Sequence, residues 1–176
     1  MNIRSLLAPV FVALLLSGCG QKDTAPATAT ASAAAPAPAA GPRVIELTAN
    51  DTMKFMMGDK ASSATAPLVI EAKAGEQLKF VLTNTGTVPK EVMGHNLVLL
   101  KAGSDANAFS TAATVAKDTD YIPPALKDQV IAHTDVIGPR KSSEFTITVP
   151  AAGEYPFLCS FPAHFVTGMK GTLVVK

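Results

Sequence analysis

Tryptophan is absent from this chain, and phenylalanine and tyrosine bring the aromatic share to only 6%. A surface that stacks bases needs more aromatic area than that. Charge of one sign is missing too: 15 lysines and arginines face 14 aspartates and glutamates, with no basic or acidic block in the 176 residues. Both observations argue against nucleic acid as a partner. Cysteine is limited to Cys19 and Cys159, so their mutual pairing is the one disulfide available. Histidine occurs three times, at His95, His133 and His164. No apolar run approaches the ~20 residues that span a ~30 Å bilayer as a helix.

What is present begins with an export signal over residues 1–18. Arg4 supplies the charged end, Leu6 to Leu16 the apolar core, and Ser17-Gly18 the small residues before cleavage. Leu16-Ser17-Gly18-Cys19 resembles the bacterial lipobox, which implies that Cys19 is lipidated and becomes the mature N-terminus. An ordinary export signal with an incidental cysteine is the alternative. By the same resemblance, Gly20 in place of aspartate implies the outer membrane. Asp23 to Pro42 then holds ten alanines, four prolines and three threonines, without a recurring hydrophobic face. Residues 19–42 are therefore expected to be a lipidated cysteine and a tether. Its reach lies between ~25 Å as a flexible coil and ~60 Å as a polyproline-like rod. A mere spacer fits the same composition.

From Arg43 to Lys176 the charges balance, once Arg4, Lys22 and Asp23 are set aside. Short apolar or alternating runs recur at Val44 to Leu47, Leu68 to Ala72, Leu78 to Thr83 and Asn96 to Leu100. Others follow at Val130 to Ala132, Ser143 to Val149, Tyr155 to Leu158 and Gly171 to Val175. Turn signals such as Ala74-Gly75-Glu76 and Asn84-Thr85-Gly86 separate them. This spacing predicts an all-β sandwich in one domain, residues 43–176. Ser104 to Lys117, rich in alanine with Ser104 or Asp105 as cap, predicts a short helical flap that Tyr121-Ile-Pro-Pro stops.

Within Cys159-Ser-Phe-Pro-Ala-His164-Phe-Val-Thr-Gly-Met169 stand a thiol, an imidazole and a thioether. A thiolate and two imidazoles with a weak thioether on the axis form the blue-copper electron-transfer arrangement. The second imidazole must come from His95 or His133, and His95 heads the apolar run Leu97 to Leu100, at the start of a strand. The predicted ligands are His95, Cys159, His164 and Met169. Taken alone, the same cysteine and methionine also suit ordinary core positions. If Cys19 carries lipid, however, Cys159 has no partner in an oxidising compartment. Burial or a metal then protects it.

Three ordered segments add to this: Pro89 to Asn96, Val130 to Thr134, and Cys159 to His164 followed by Met169-Lys-Gly-Thr-Leu. Together they resemble azurin over nearly all of Val44 to Lys176, and Asn50 to Phe55 resembles an early azurin segment. The resemblance implies a cupredoxin, an eight-stranded Greek-key sandwich holding one type 1 copper at its end. It implies a backbone contact from the Gly94 carbonyl, and Asn96 and the Phe161 amide as groups that hold the cysteine loop. It also implies partner docking at Met53, Val88, Met93, Phe161, Pro162 and Ala163, around an edge of His164. Four residues separate His164 from Met169 where azurins typically have three, an arm similar to that of the auracyanins. Residues 56 to 66 look like extra length, and the characteristic azurin disulfide is missing.

The expected function is that of a one-electron carrier, monomeric, exported and facing the periplasm from a lipid anchor. It shuttles electrons between membrane-associated or periplasmic redox partners. Copper delivery is the alternative, because six methionines include Met53, Met56, Met57 and Met93. An enzyme is not expected. Copper oxidases and nitrite reductases need further histidines for a catalytic centre, and only His133 remains, read as exposed.

Overall fold

The computed structural model describes residues 41–176. The export signal, Cys19 and the tether up to residue 40 lie outside the described residues. Alternation builds the rest. In β1 (Arg43–Ala49) Ile45, Leu47 and Ala49 are buried, and in β5 (Gln77–Asn84) Leu78, Phe80, Leu82 and Asn84 are. The same period of two buries Leu68, Ile70 and Ala72 in β4 (Leu68–Ala72), and Gly171, Leu173 and Val175 in β10 (Lys170–Val175). Strands with one apolar face must bury it against another layer.

The remaining strands are β2 (Phe55–Met57), β3 (Lys60–Ala61), β6 (Val98–Leu100), β7 (Val130–His133), β8 (Ser142–Thr148) and β9 (Gly153–Leu158). Among the described residues they form two five-stranded sheets, in the orders β3-β2-β1-β5-β8 and β4-β10-β9-β6-β7. Each sheet is mixed, since β1 pairs with β5 and β4 with β10 in parallel. One core joins their inner faces, and Phe55 and Phe157 meet across it with ring centroids 5.9 Å apart. The sandwich is the expected one, and all eight predicted runs are strands. β2 and β3 raise the count of strand segments to ten, as a short hairpin within the stretch expected to be extra length.

The flap is shorter than expected. Its helix, α2 (Ala106–Ala113), is capped by Asp105, whose carboxylate accepts from the amides of Asn107 at 2.9 Å and Ala108 at 3.0 Å. The hydroxyls of Ser110 and Thr111 both donate to the Asn107 carbonyl, and that of Thr114 to the Thr111 carbonyl. Such side-chain bonds compete with the helix ladder. The helix therefore ends before Tyr121, and two 3-10 turns follow at Lys117–Thr119 and Pro124–Gln129. Phe109 seats α2 on Val98, Leu100 and Leu158, which explains why β6 is buried on both faces. A four-residue helix, α1 (Lys90–Met93), precedes Gly94 and was not foreseen.

Candidate metal centre

β9 runs antiparallel to β6 on one side and to β10 on the other. Leu158, its last residue, pairs with Val98 and with Lys170. The residue leaving β9, Cys159, therefore lies between the entry to β6, which carries His95, and the entry to β10, which carries Met169. The intervening loop folds back on itself. The Cys159 amide donates to the Met169 carbonyl (3.1 Å), and the Met169 amide and Thr167 hydroxyl both donate to the His164 carbonyl (3.0 and 2.8 Å). His164 is thereby turned over the cysteine, with Nδ1 at 3.4 Å from Sγ. His95 is fixed by a two-bond bridge to Ile137, 3.1 Å from its amide and 2.8 Å to its carbonyl.

The donor atoms of His95, Cys159 and His164 lie within 4.8 Å of one another, and all three residues are buried. The two imidazole rings stand 4.9 Å apart at 42°. Both ring nitrogens of His95 are buried without a hydrogen-bond partner. Buried polar atoms are seldom left unpaired, because that forfeits their hydration for nothing. A cation accepting the lone pair of one ring nitrogen satisfies that atom, while the other keeps its N–H on the side of the Asn50 backbone, and a thiolate with two imidazoles suits copper.

Burial also sets the protonation states. It pushes His95 down to about 4, partly opposed by the Asp51 carboxylate, and His164 down to about 3, helped by His95. Both imidazoles are therefore neutral at neutral pH, as ligands must be. Burial pushes the Cys159 thiol up to about 12, against the amides of Asn96 and Phe161, which favour the thiolate. A bound cation supplies the charge that removes this proton.

Around the donors, Asn96 acts as a double clamp. Its Oδ1 accepts from the Ser160 amide (2.8 Å), and its Nδ2 donates to the Ser160 hydroxyl (2.8 Å) and to the Asp120 carbonyl (3.3 Å). It thus fixes the residue after Cys159 and ties the flap to it. Gly94 has an ordinary φ of −70°, so torsion does not call for glycine. Space does: a Cβ there would meet Val136 Cγ1 at 2.6 Å, the Lys90 carbonyl oxygen at 2.7 Å and Phe161 Cε2 at 3.0 Å. Met169 is fully buried at the loop's end.

Of the expected docking residues, Ala163 is exposed and Met53, Val88, Met93 and Pro162 are half-buried. Phe161 is 8% exposed, and its ring packs between Tyr121 and His164, 4.9 Å from each. His164 itself is 1% exposed, so its edge is less open than expected. His133 is exposed, outside the cluster, with Nδ1 at 3.0 Å from the Thr134 carbonyl. The sequence marks Tyr121 only as part of a helix stop, and Asp120 and Ile137 not at all. Their roles arise from where the flap and the residues after β7 return, and no local motif marks them.

Comparison with known proteins agrees with this geometry. Residues 49–176 match the family of copper binding proteins described as plastocyanin/azurin. An azurin of Pseudomonas chlororaphis is 43% identical over 98 residues, covering 54% of this chain and 75% of that one. Outer membrane protein H.8 of Neisseria gonorrhoeae is 35% identical over 127 residues, covering 71% of this chain and 63% of that one. The crystal structure of dithionite-reduced auracyanin from Roseiflexus castenholzii superposes with a TM-score of 0.62 at 31% identity, over 76% of this chain and 96% of that one.

Proposed function

The chain belongs to the plastocyanin/azurin family of copper-binding proteins, and from that premise we propose which residues hold the metal and where the protein works. It is a blue-copper electron carrier. Copper supplies the redox couple, passing one electron at a time between Cu(II) and Cu(I). His95, Cys159 and His164 would hold it, with the Met169 thioether as a weaker sulfur donor and the Gly94 carbonyl as a further oxygen donor. One observation carries this reading: three buried donors converge within 4.8 Å of one another, and neither ring nitrogen of His95 makes a hydrogen bond of good geometry.

The chain's own residues keep that cage in one shape. Asn96 fixes the cysteine loop, the Ile137 bridge fixes His95, and the amides of Asn96 and Phe161 stabilise the sulfur's charge. Because the donors are held by strand ends, a change of redox state asks little movement of them. Burial also favours retention over release, and so favours a carrier over a delivery protein. The similarity is to electron carriers, and His133 stands outside the cluster, which supports a role other than catalysis. The lipobox-like Cys19 and the likeness to a protein named for the outer membrane support a lipid-anchored, periplasm-facing carrier that meets redox proteins.

A redox titration tests the carrier role. One copper per chain should give a reversible one-electron wave, and the reduced protein should keep its metal against a Cu(I) chelator. Rapid transfer of Cu(I) to the chelator would favour delivery instead.

A further inference from the structure

We propose that the β2–β3 hairpin and the turn after it, residues 55–66, brace the ligand loop and set the position of Met169. The inference rests on the reading of Met169 as a copper ligand. The contact is at Gly168, the residue before that methionine. A Cβ on Gly168 would meet the Ala64 amide nitrogen at 2.2 Å, the Ser63 carbonyl carbon at 2.2 Å and Ser63 Cα at 2.6 Å. These are backbone atoms, which cannot swing aside as the end of a side chain could. Gly168 also has φ +105°, a conformation that other residues rarely adopt. The loop thus passes directly against the Ser63-Ala64 peptide.

The brace is itself anchored. The Ser63 amide donates to the Ala66 carbonyl, and the Ala66 amide donates to Ser63 Oγ, both at 2.9 Å. Ser62 is fully buried and holds both backbone groups of Phe55. Its amide donates to the Phe55 carbonyl (2.8 Å), and its Oγ accepts from the Phe55 amide (2.9 Å). The Phe55 ring packs on Phe157, two residues before Cys159. A continuous path of fixed groups therefore runs from the core through Ser62 and Ser63-Ala64 to Gly168 and Met169. The extra length at 56–66 and the four-residue arm between His164 and Met169 are separate in sequence and meet here. The arm's own hydrogen bonds, Gly168 amide to the Phe165 carbonyl and Met169 amide to the His164 carbonyl, shape its last turn, and the Ser63-Ala64 peptide blocks that turn from moving outward. Where the axial sulfur rests tunes the potential of such a site.

Two variants and a control test this in the copper-loaded and apo full-length protein. Ser62→Ala removes the hydroxyl that takes the Phe55 amide, and Gly168→Ala inserts the excluded Cβ. Val175→Ala, at the other end of β10, is a core substitution away from the loop. Both brace variants should shift the reduction potential, weaken copper retention roughly ten- to a hundredfold, and speed amide exchange at Met169 in the apoprotein. Val175→Ala should lower stability and move none of the three. If Gly168→Ala fails to fold, Ser62→Ala decides. Variants that fold and keep wild-type potential, retention and Met169 protection would overturn the brace. A wild type without a thiolate-to-copper band would instead overturn the copper reading, while apoprotein exchange at Met169 still tests the brace.

Discussion

At His95 and His164, burial and ligation ask for the same thing, a neutral ring. The folded chain refuses protons that the unfolded chain accepts below the ordinary imidazole value of 6.5. Stability of the apoprotein is therefore full above that value and is lost as pH falls towards about 4 for His95 and about 3 for His164. Displacements of this size are worth on the order of 3 kcal/mol for His95 and 5 kcal/mol for His164. Urea midpoints of the apoprotein should thus fall steeply between pH 7 and pH 4, and the copper-loaded protein should resist further. A flat apoprotein profile would mean that the rings are protonated inside the fold. Residue identity was legible where chemistry is rare: one buried thiol and a histidine five residues on. The need for Gly94 was legible only as a glycine beside a histidine. Its cause, the Val136 and Phe161 side chains and the Lys90 carbonyl, comes from distant parts of the chain.

At the scale of elements, the longer strands announced themselves, β8 most clearly through Phe145 and Ile147 alternating with Thr146 and Thr148. β2 and β3 did not, because two or three residues cannot display a period of two. The flap's cap was visible as Ser104 or Asp105, of which the structure uses Asp105, but its end was not, since the hydroxyls of Ser110, Thr111 and Thr114 act on carbonyls rather than on hydrophobic pattern. Cys159, His164 and Met169 share one loop and could be read together, whereas pairing them with His95 required β6 to lie beside β9. A tether over residues 19–42 is an expectation of another kind, read from composition alone. The mature N-terminus is expected at Cys19 with lipid attached, and Cys19→Ala should release the protein from membranes while leaving its copper site intact. A mass spectrum showing an unmodified N-terminus beyond Cys19 would contradict this.

For the molecule as a whole, the balance of charge from Arg43 onward leaves little long-range field to steer a partner. Met93, Pro162 and Ala163 lie where chain enters and leaves the donors, and we propose them as a small, mostly apolar docking contact. Brief redox encounters bury less than ~1,200 Å², which suits a shuttle that must let go. Met93→Lys or Ala163→Lys should slow electron exchange between copies and with partners, with the visible band unmoved. Exchange that is unchanged in these variants but strongly salt-dependent in the wild type would place docking on a charged surface elsewhere. The central claim, a copper thiolate at Cys159 within the His95–His164 cage, is tested most directly by the visible spectrum of the protein with Cu(II). The wild type should show an intense thiolate-to-copper band that disappears on reduction, His133→Ala should show the same band, and Cys159→Ser should lack it. Cys159→Ser that binds copper and keeps the band would contradict the account.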